Sequence, residues 1–275
     1  MTAGHRLTRL WVHNKMNRPE RTSIFARTRT AEGLRIYAIG DIHGMLELAT
    51  KIFNKIDEEC ARFDGDVIIV GLGDYIDRGP NSKAVLEYLV QRSRMQKCRL
   101  VALRGNHEDL LLRFLDEPEV FGQDWLQLGG EATLASYGVA LSGRRQKYAA
   151  LRKDLVSCLP VEHLAFLQSL PLTFEHLSLF FSHAGARPGI ALFNQAERDL
   201  LWTRWRESDD ALLFEKILIH GHTPVVEPVA AGGRINVDTG AYATGRLSAV
   251  RISSDGYDFL TATVQQMASD RNSKQ

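Results

Sequence analysis

Five short segments gather the residues that could do chemistry: GDIHG (40–44), GDYIDRG (73–79), RGNHE (104–108), SHAG (182–185) and HGHT (220–223). They offer carboxylate, carboxamide and imidazole donors and no thiolate, the set preferred by hard or borderline divalent cations. Asp41 and His43 alternate along an extended stretch, so both can face one ion. Asp74 is a single carboxylate able to bridge two ions. Asn106, His183 and a histidine of the HGH triplet can complete the shell of the second. Two divalent ions about 3.5–4 Å apart hold a bridging hydroxide and clamp a phosphoryl group for in-line displacement. Alone, an Asp-x-His or a His-x-His carries little weight, since such an Asp more often caps a helix. The weight comes from five such loops in order, each after a β-like run. The flanking glycines Gly40, Gly44, Gly73, Gly79, Gly105 and Gly221 allow sharp turns beneath such a site.

The elements that must position these loops are legible around them. RIYAIG (35–40) reads as a strand, and the segment to about Glu59 has helical spacing at Leu46, Leu48, Ile52, Phe53 and Ile56. DVIIVG (66–71) is a β-branched run suited to burial on both faces. Residues 81–94 read as a helix, RLVALR (99–104) as a third strand, and an apolar helix follows through Phe114. This β-α-β-α-β order predicts an α/β sheet with right-handed crossovers, and such sheets bind ligands beyond the carboxyl ends of their strands. Residues 116–170 are expected to form a helical insertion or cap, with the glycines of WLQLGGEATLASYG (125–138) as loops between short helices. LSLFFS (177–182), KILIHG (215–220), RINVD (234–238) and RLSAVRIS (246–253) are β-like, and the last two are expected to pair as a hairpin on a second sheet.

The motifs GDIHG, GDYIDRG and RGNHE, followed by a later His and GHT, resemble the phosphoprotein phosphatase family of metallophosphoesterases, in its bacterial and bacteriophage serine/threonine phosphatase branch. The likeness spans about residues 35–250. It implies a metallophosphoesterase-type β-sandwich flanked by helices. It also implies Asp41 and His43 as ligands of the first metal, Asp74 as the bridge, and Asn106, His183 and His222 as ligands of the second, leaving His220 structural. The general acid of the GNHE motif maps onto His107 and its acidic partner onto Asp77. The phosphate-gripping arginines map onto Arg78 and Arg204, with Arg104 as a further substrate contact. By this resemblance the protein is a metal-dependent phosphoric monoester hydrolase acting on phosphoserine and phosphothreonine. Mn²⁺ is the expected metal, and Fe or Zn²⁺ also suit the donors. The alternative on the same fold is a diadenosine tetraphosphate hydrolase or another nucleotide or RNA 5′-end phosphatase. The tetraphosphate enzymes typically lack the Asp of DRG and read NHD, where this sequence has Asp77 and Glu108.

Composition narrows the setting. The 275 residues are 44% hydrophobic and 24% charged, ordinary for a globular protein and enough to bury a core without disulfides. Cys60, Cys98 and Cys158 lie far apart without a CxxC spacing, which suits a reducing compartment and excludes a cysteine zinc site. Seven basic residues and one acid in residues 1–30 leave the rest of the chain at net −5 within an overall +1. The acidic body argues against nucleic-acid binding, which the basic tail alone would support. No apolar run reaches the roughly 18–20 residues of a membrane span and no secretory signal is readable, so a cytoplasmic location is expected. The expected organisation is a basic, disordered tail over 1–34 (Met16 offers an alternative start), a catalytic domain over 35–267 and a polar tail over 268–275. The expected partner is a phosphorylated protein or small phosphoester, with no membrane. His5, His13, His163 and His176 match no motif, Trp125, Trp202 and Trp205 are assigned to packing, and Tyr242 is given no role.

Overall fold

The computed structural model describes residues 28–141, 147–206 and 214–264. The polar tail over 268–275 and most of the basic tail lie outside these residues. The last part of the predicted tail belongs to the fold. Thr28 and Thr30 are buried, and the Thr30 amide donates to the Ser253 carbonyl at 3.2 Å.

Two five-stranded mixed sheets stack face to face. The first has the order β10-β9-β1-β2-β3, built from β1 (Leu34–Ile39), β2 (Asp66–Gly71), β3 (Arg99–Ala102), β9 (Arg246–Ser253) and β10 (Gly256–Thr263). In it β1, β2 and β3 run parallel, while β9 pairs antiparallel with both β1 and β10. The second has the order β4-β5-β6-β8-β7, from β4 (Thr173–His176), β5 (Leu179–Ser182), β6 (Ile217–His220), β7 (Val229–Ala231) and β8 (Arg234–Asn236). Here β5, β6 and β8 run parallel, with antiparallel β4 and β7 at the edges.

Side-chain alternation explains why both faces of each sheet are apolar. Ile36, Ala38, Val70 and Leu72 from the first sheet meet Phe181, Ile217, Ile219 and Ile235 from the second in one buried layer. The alternate residues Tyr37, Ile39 and Ile69 face outward onto helices. Phe180 and Leu218 face outward from the second sheet, against Leu200 and Trp205. Helix α1 (Leu46–Cys60) lays Leu48, Ala49, Ile52, Phe53, Ile56 and Cys60 on the first sheet, the periodicity of a one-sided helix. Helix α2 (Ser82–Ser93) follows β2, and α3 (Asn106–Asp116) follows β3.

The expected hairpin between RINVD and RLSAVRIS does not form. RIN is β8 of the second sheet and RLSAVRIS is β9 of the first. Between them Gly240 and Gly245, both at positive φ, bracket a short helix (Ala241–Thr244) that carries the chain across. The hairpins among the described residues are instead β4–β5, turning at Leu177-Ser178, β7–β8, turning at Gly232-Gly233, and β9–β10, turning at Ser254-Asp255.

The segment between α3 and β4 contains α4 (Pro118–Trp125), a π turn (Leu126–Gly130), α5 (Glu131–Ser136), α6 (Tyr148–Cys158) and α7 (Val161–Ser169). The glycines of WLQLGG are therefore within a kinked helix, where loops were expected. Gly129, at φ +107, makes the kink, and Gly130 lies where a Cβ would meet the Trp125 ring at 2.5 Å.

Candidate active site

The loops after β1, β2, β3, β5, β6 and β8 meet at one end of the stacked sheets. Backbone hydrogen bonds tie them in series: the His43 amide donates to Asp74 O at 2.8 Å, and the Gly221 amide to His183 O at 2.8 Å. Five of the seven described non-glycine residues at positive φ belong here: His43, Asp74, Asp77, Arg78 and His222. Each such backbone costs about 1–3 kcal/mol and persists only where the surroundings over-determine it.

Glu108 provides much of that determination. It stands in the first turn of α3, and its carboxylate accepts from the amides of Asp74 (2.8 Å), Tyr75 (2.7 Å), Ile76 (3.3 Å) and Gly105 (2.9 Å). Burial, with the Asp74 charge adding to it, raises this carboxyl to about 7.

All six side chains expected to hold metal are buried. Asp74 sits at their middle. Its Oδ1 lies 3.4 Å from His183 Nε2, and its Oδ2 lies 3.5 Å from His43 Nε2. The Asn106 carboxamide oxygen is 2.8 Å from His183 Nε2 and 3.0 Å from His222 Nδ1. His43 and His183 each turn Nδ1 to a backbone carbonyl, Ile76 O at 2.9 Å and Leu72 O at 3.0 Å. That arrangement fixes the proton on Nδ1 and leaves the Nε2 lone pair facing the carboxylate, as metal-ligating histidines require. Burial pushes His43 and His222 down to about 3, so the rings stay neutral and able to coordinate. Burial alone would raise Asp74; the four surrounding imidazoles win and hold it below the ordinary carboxylate range.

Asp41 lies beneath this group, accepting from the His222 amide at 3.2 Å. Burial, then the Asp238 and Asp74 carboxylates, raise it well above its ordinary value. Asp238 is itself pushed up to about 6 by burial, with Asp74 adding to it. Sequence reasoning missed Asp238, yet it follows β8 as Asp41 follows β1, and that position was the available signal. Glycines make the close approach possible: a Cβ at Gly221 would stand 2.1 Å from Asp41 Oδ1, and one at Gly105 would stand 2.2 Å from Asp74 Oδ1.

The donor atoms form two groups that could hold a metal ion, His43–Asp74–His107 and Asp74–His183–His222, sharing Asp74. Neutral imidazoles beside buried carboxylates suit divalent cations. The buried Nε2 atoms of His107 and His222 have no hydrogen-bond partner. His107 is otherwise engaged, its Nδ1 2.7 Å from Asp77 Oδ2, while its Nε2 is 3.8 Å from Asp74. Burial would lower this imidazole; the Asp74 charge and the Asp77 hydrogen bond overcome that and raise it.

The expected substrate arginines occupy different settings. Arg78 is partly buried, its guanidinium 4.8 Å from the Tyr242 ring centroid, and that ring meets His43 edge-on at 5.2 Å. Arg204 is exposed and near enough to contribute to the lowering of His222. Arg104 turns instead to carboxylates, 3.6 Å from Glu197 and 3.9 Å from Asp109. His220 stays out of the cluster, stacked on Trp205 at 5.9 Å. His163 is a buried link between Tyr137 (2.7 Å) and Glu87 (3.0 Å).

The calcineurin-like phosphoesterase family matches residues 34–251. Among curated relatives, serine/threonine-protein phosphatase 2 of Escherichia coli is 29% identical over 231 residues, covering 79% of this chain and 92% of its own. An asymmetrical bis(5′-nucleosyl)-tetraphosphatase of Oceanobacillus iheyensis is 25% identical over 239 residues, covering 79% and 88%. The crystal structure of a candidate diadenosine tetraphosphatase superposes with a TM-score of 0.58 at 18% identity, covering 86% of this chain and 99% of that one.

Proposed function

The chain belongs to the calcineurin-like phosphoesterase family, and from that premise we propose that it is a serine/threonine protein phosphatase, manganese-dependent and cytoplasmic. Asp41, His43 and Asp74 would hold one divalent ion, and Asp74, Asn106, His183 and His222 the other. Bound there, the ions would supply charge neutralisation for the phosphoryl group and an activated water.

The chain's own residues do the rest. Arg78 and Arg204 grip the phosphoryl oxygens, for which a planar guanidinium is suited. Arg104, tied to Glu197 and Asp109, reaches substrate only by exchanging those partners. His107 is the general acid. Asp77 holds its Nδ1 proton and favours the charged ring, leaving Nε2–H to face the leaving group. As the bond from phosphorus to the seryl or threonyl oxygen breaks, its electron pair moves to that oxygen. The Nε2 proton follows it, and the water oxygen forms the new bond to phosphorus. The substrate is thus a phosphorylated protein or a small phosphoester.

The observation that carries the protein-phosphatase reading is the buried His107–Asp77 pair at 2.7 Å. An alkoxide is a poor leaving group and needs a proton, whereas the phosphate product of a dinucleotide does not. The second reading is a diadenosine tetraphosphate hydrolase, favoured by the likeness to the Oceanobacillus enzyme. Turnover of a phosphoserine/phosphothreonine peptide and of diadenosine tetraphosphate, side by side with Mn²⁺, tests the choice. Fast peptide dephosphorylation with little dinucleotide cleavage is expected; the reverse would reassign the substrate to nucleotides.

A further inference from the structure

Besides His107, Asp77 is held by Trp125, which the sequence assigns to packing, and by Thr133 and Ser82, to which it gives no role. Its Oδ2 accepts from His107 Nδ1 at 2.7 Å and from Trp125 Nε1 at 3.1 Å. Its Oδ1 accepts from Thr133 Oγ1 at 2.5 Å. Its own amide lies 3.0 Å from both Ser82 Oγ and Thr133 Oγ1. Trp125 ends α4 and Thr133 lies in α5, so both partners come from the helical insertion. The insertion also grips the next residue, the Arg78 amide donating to Gly129 O at 3.2 Å. A Cβ on Gly129 would stand 2.9 Å from the Arg78 backbone, so only glycine lets the kinked helix come this close.

Asp77 and Arg78 are consecutive residues at φ +68 and +66, a backbone that non-glycine residues rarely adopt. Such a pair needs external support. A carboxylate also has a broad torsion about its last bond. With only His107 as partner, it could swing away from Nδ1. Two further donors, one on each oxygen, fix its plane. Trp125 is suited to this duty because its ring is immobile: it is fully buried and stacked on Phe114 at 4.6 Å.

We propose that Trp125 and Thr133 are positioning residues for leaving-group protonation, and that the helical insertion acts as a clamp that aligns Asp77, and through it His107, with the ester oxygen. The proposal rests on His107 being the general acid, and the test separates the two.

The variants are Thr133→Val, Trp125→Phe, Thr133→Ser and, as reference, His107→Ala, each assayed in Mn²⁺ with a phosphoserine peptide and with 4-nitrophenyl phosphate. The peptide's alkoxide needs a proton to leave; 4-nitrophenolate is a stable anion and does not. Thr133→Val keeps the branched shape and Trp125→Phe an aromatic ring; each removes one donor to the Asp77 carboxylate, and Thr133→Val also removes an acceptor of the Asp77 amide, which Ser82 Oγ still serves. Both are expected to lower kcat on the peptide roughly tenfold or more, the lower range for supporting groups of an active site, with KM and metal content unchanged. Turnover of 4-nitrophenyl phosphate should stay within about twofold, since no proton transfer is lost there. Thr133→Ser should recover the peptide rate. Equal losses on both esters would reduce Trp125 and Thr133 to ordinary packing, and an unchanged peptide rate would overturn the clamp as well. If His107→Ala is leaving-group selective and the clamp variants are not, the clamp alone falls. If His107→Ala shows no such selectivity, the general-acid reading fails and takes the clamp with it.

Discussion

The Glu108 carboxylate accepts from four backbone amides on two different loops, those of Asp74, Tyr75, Ile76 and Gly105. Removing it strands buried donors, each costing about 1–3 kcal/mol. Glu108→Ala should therefore lower unfolding stability by at least about 3 kcal/mol in urea titration; a loss near zero would mean that the loops hold themselves. Asp74 is the carboxylate common to both donor groups. Asp74→Ala should purify without either ion by metal analysis, and retention of two ions would contradict the bridge. His107 is different in kind, since Asp77 occupies its Nδ1. His107→Ala should keep its metal and lose about 10²–10⁴ in kcat on a phosphoserine peptide, the usual worth of a general acid. Unchanged turnover would remove that role.

Strands and loops decide how near these residues come. Gly221 closes the turn after β6 against Asp41, leaving no room for a Cβ, which would stand 2.1 Å from Asp41 Oδ1. Gly221→Ala must displace Asp41 or the turn, so Mn²⁺ affinity should fall roughly tenfold or more, as when other groups that orient metal ligands are lost; calorimetric titration with Mn²⁺ showing native affinity would count against Asp41 as a ligand. The parallel strands β1 to β3 and the helices that follow them were legible because their apolar periodicity was strong and the residues after each strand were chemically distinctive; the parallel run of β5, β6 and β8 was not. The pairing of β8 and β9 was misread for a physical reason. Proximity in sequence predicts a hairpin, but Gly240 and Gly245, both at positive φ, bracket a short helix between the two strands and redirect the chain to the other sheet. The kinked helix over 118–136 was hidden by its glycines, which permit contact with Trp125 and Arg78 rather than a loop.

At the scale of the molecule, the site joins loops from both sheets, so its metals should stabilise the whole fold. A ligand bound only to the folded state at 100 times its dissociation constant adds about 2.7 kcal/mol. For a chain of this size that corresponds to roughly 5–10 °C in Tm. Chelation with EDTA should lower Tm by about that amount, and Mn²⁺ should restore it; a Tm insensitive to chelator would mean that the ions do not link the two sheets. Among the described residues no helix is long and apolar enough to cross a membrane.

The sequence by itself determined the α/β class, the strand-end position of the five loops and the residue types they carry, because hydrophobic period and residue chemistry are local properties. Tertiary structure alone decided that Asp238 joins Asp41 and Asp74, that Tyr242 covers His43 and Arg78, that Arg104 faces carboxylates, and that Trp125 and Thr133 reach Asp77 from 48 and 56 residues away. Those contacts depend on how two sheets and a helical insertion come together, and no spacing along the chain encodes a distance across it.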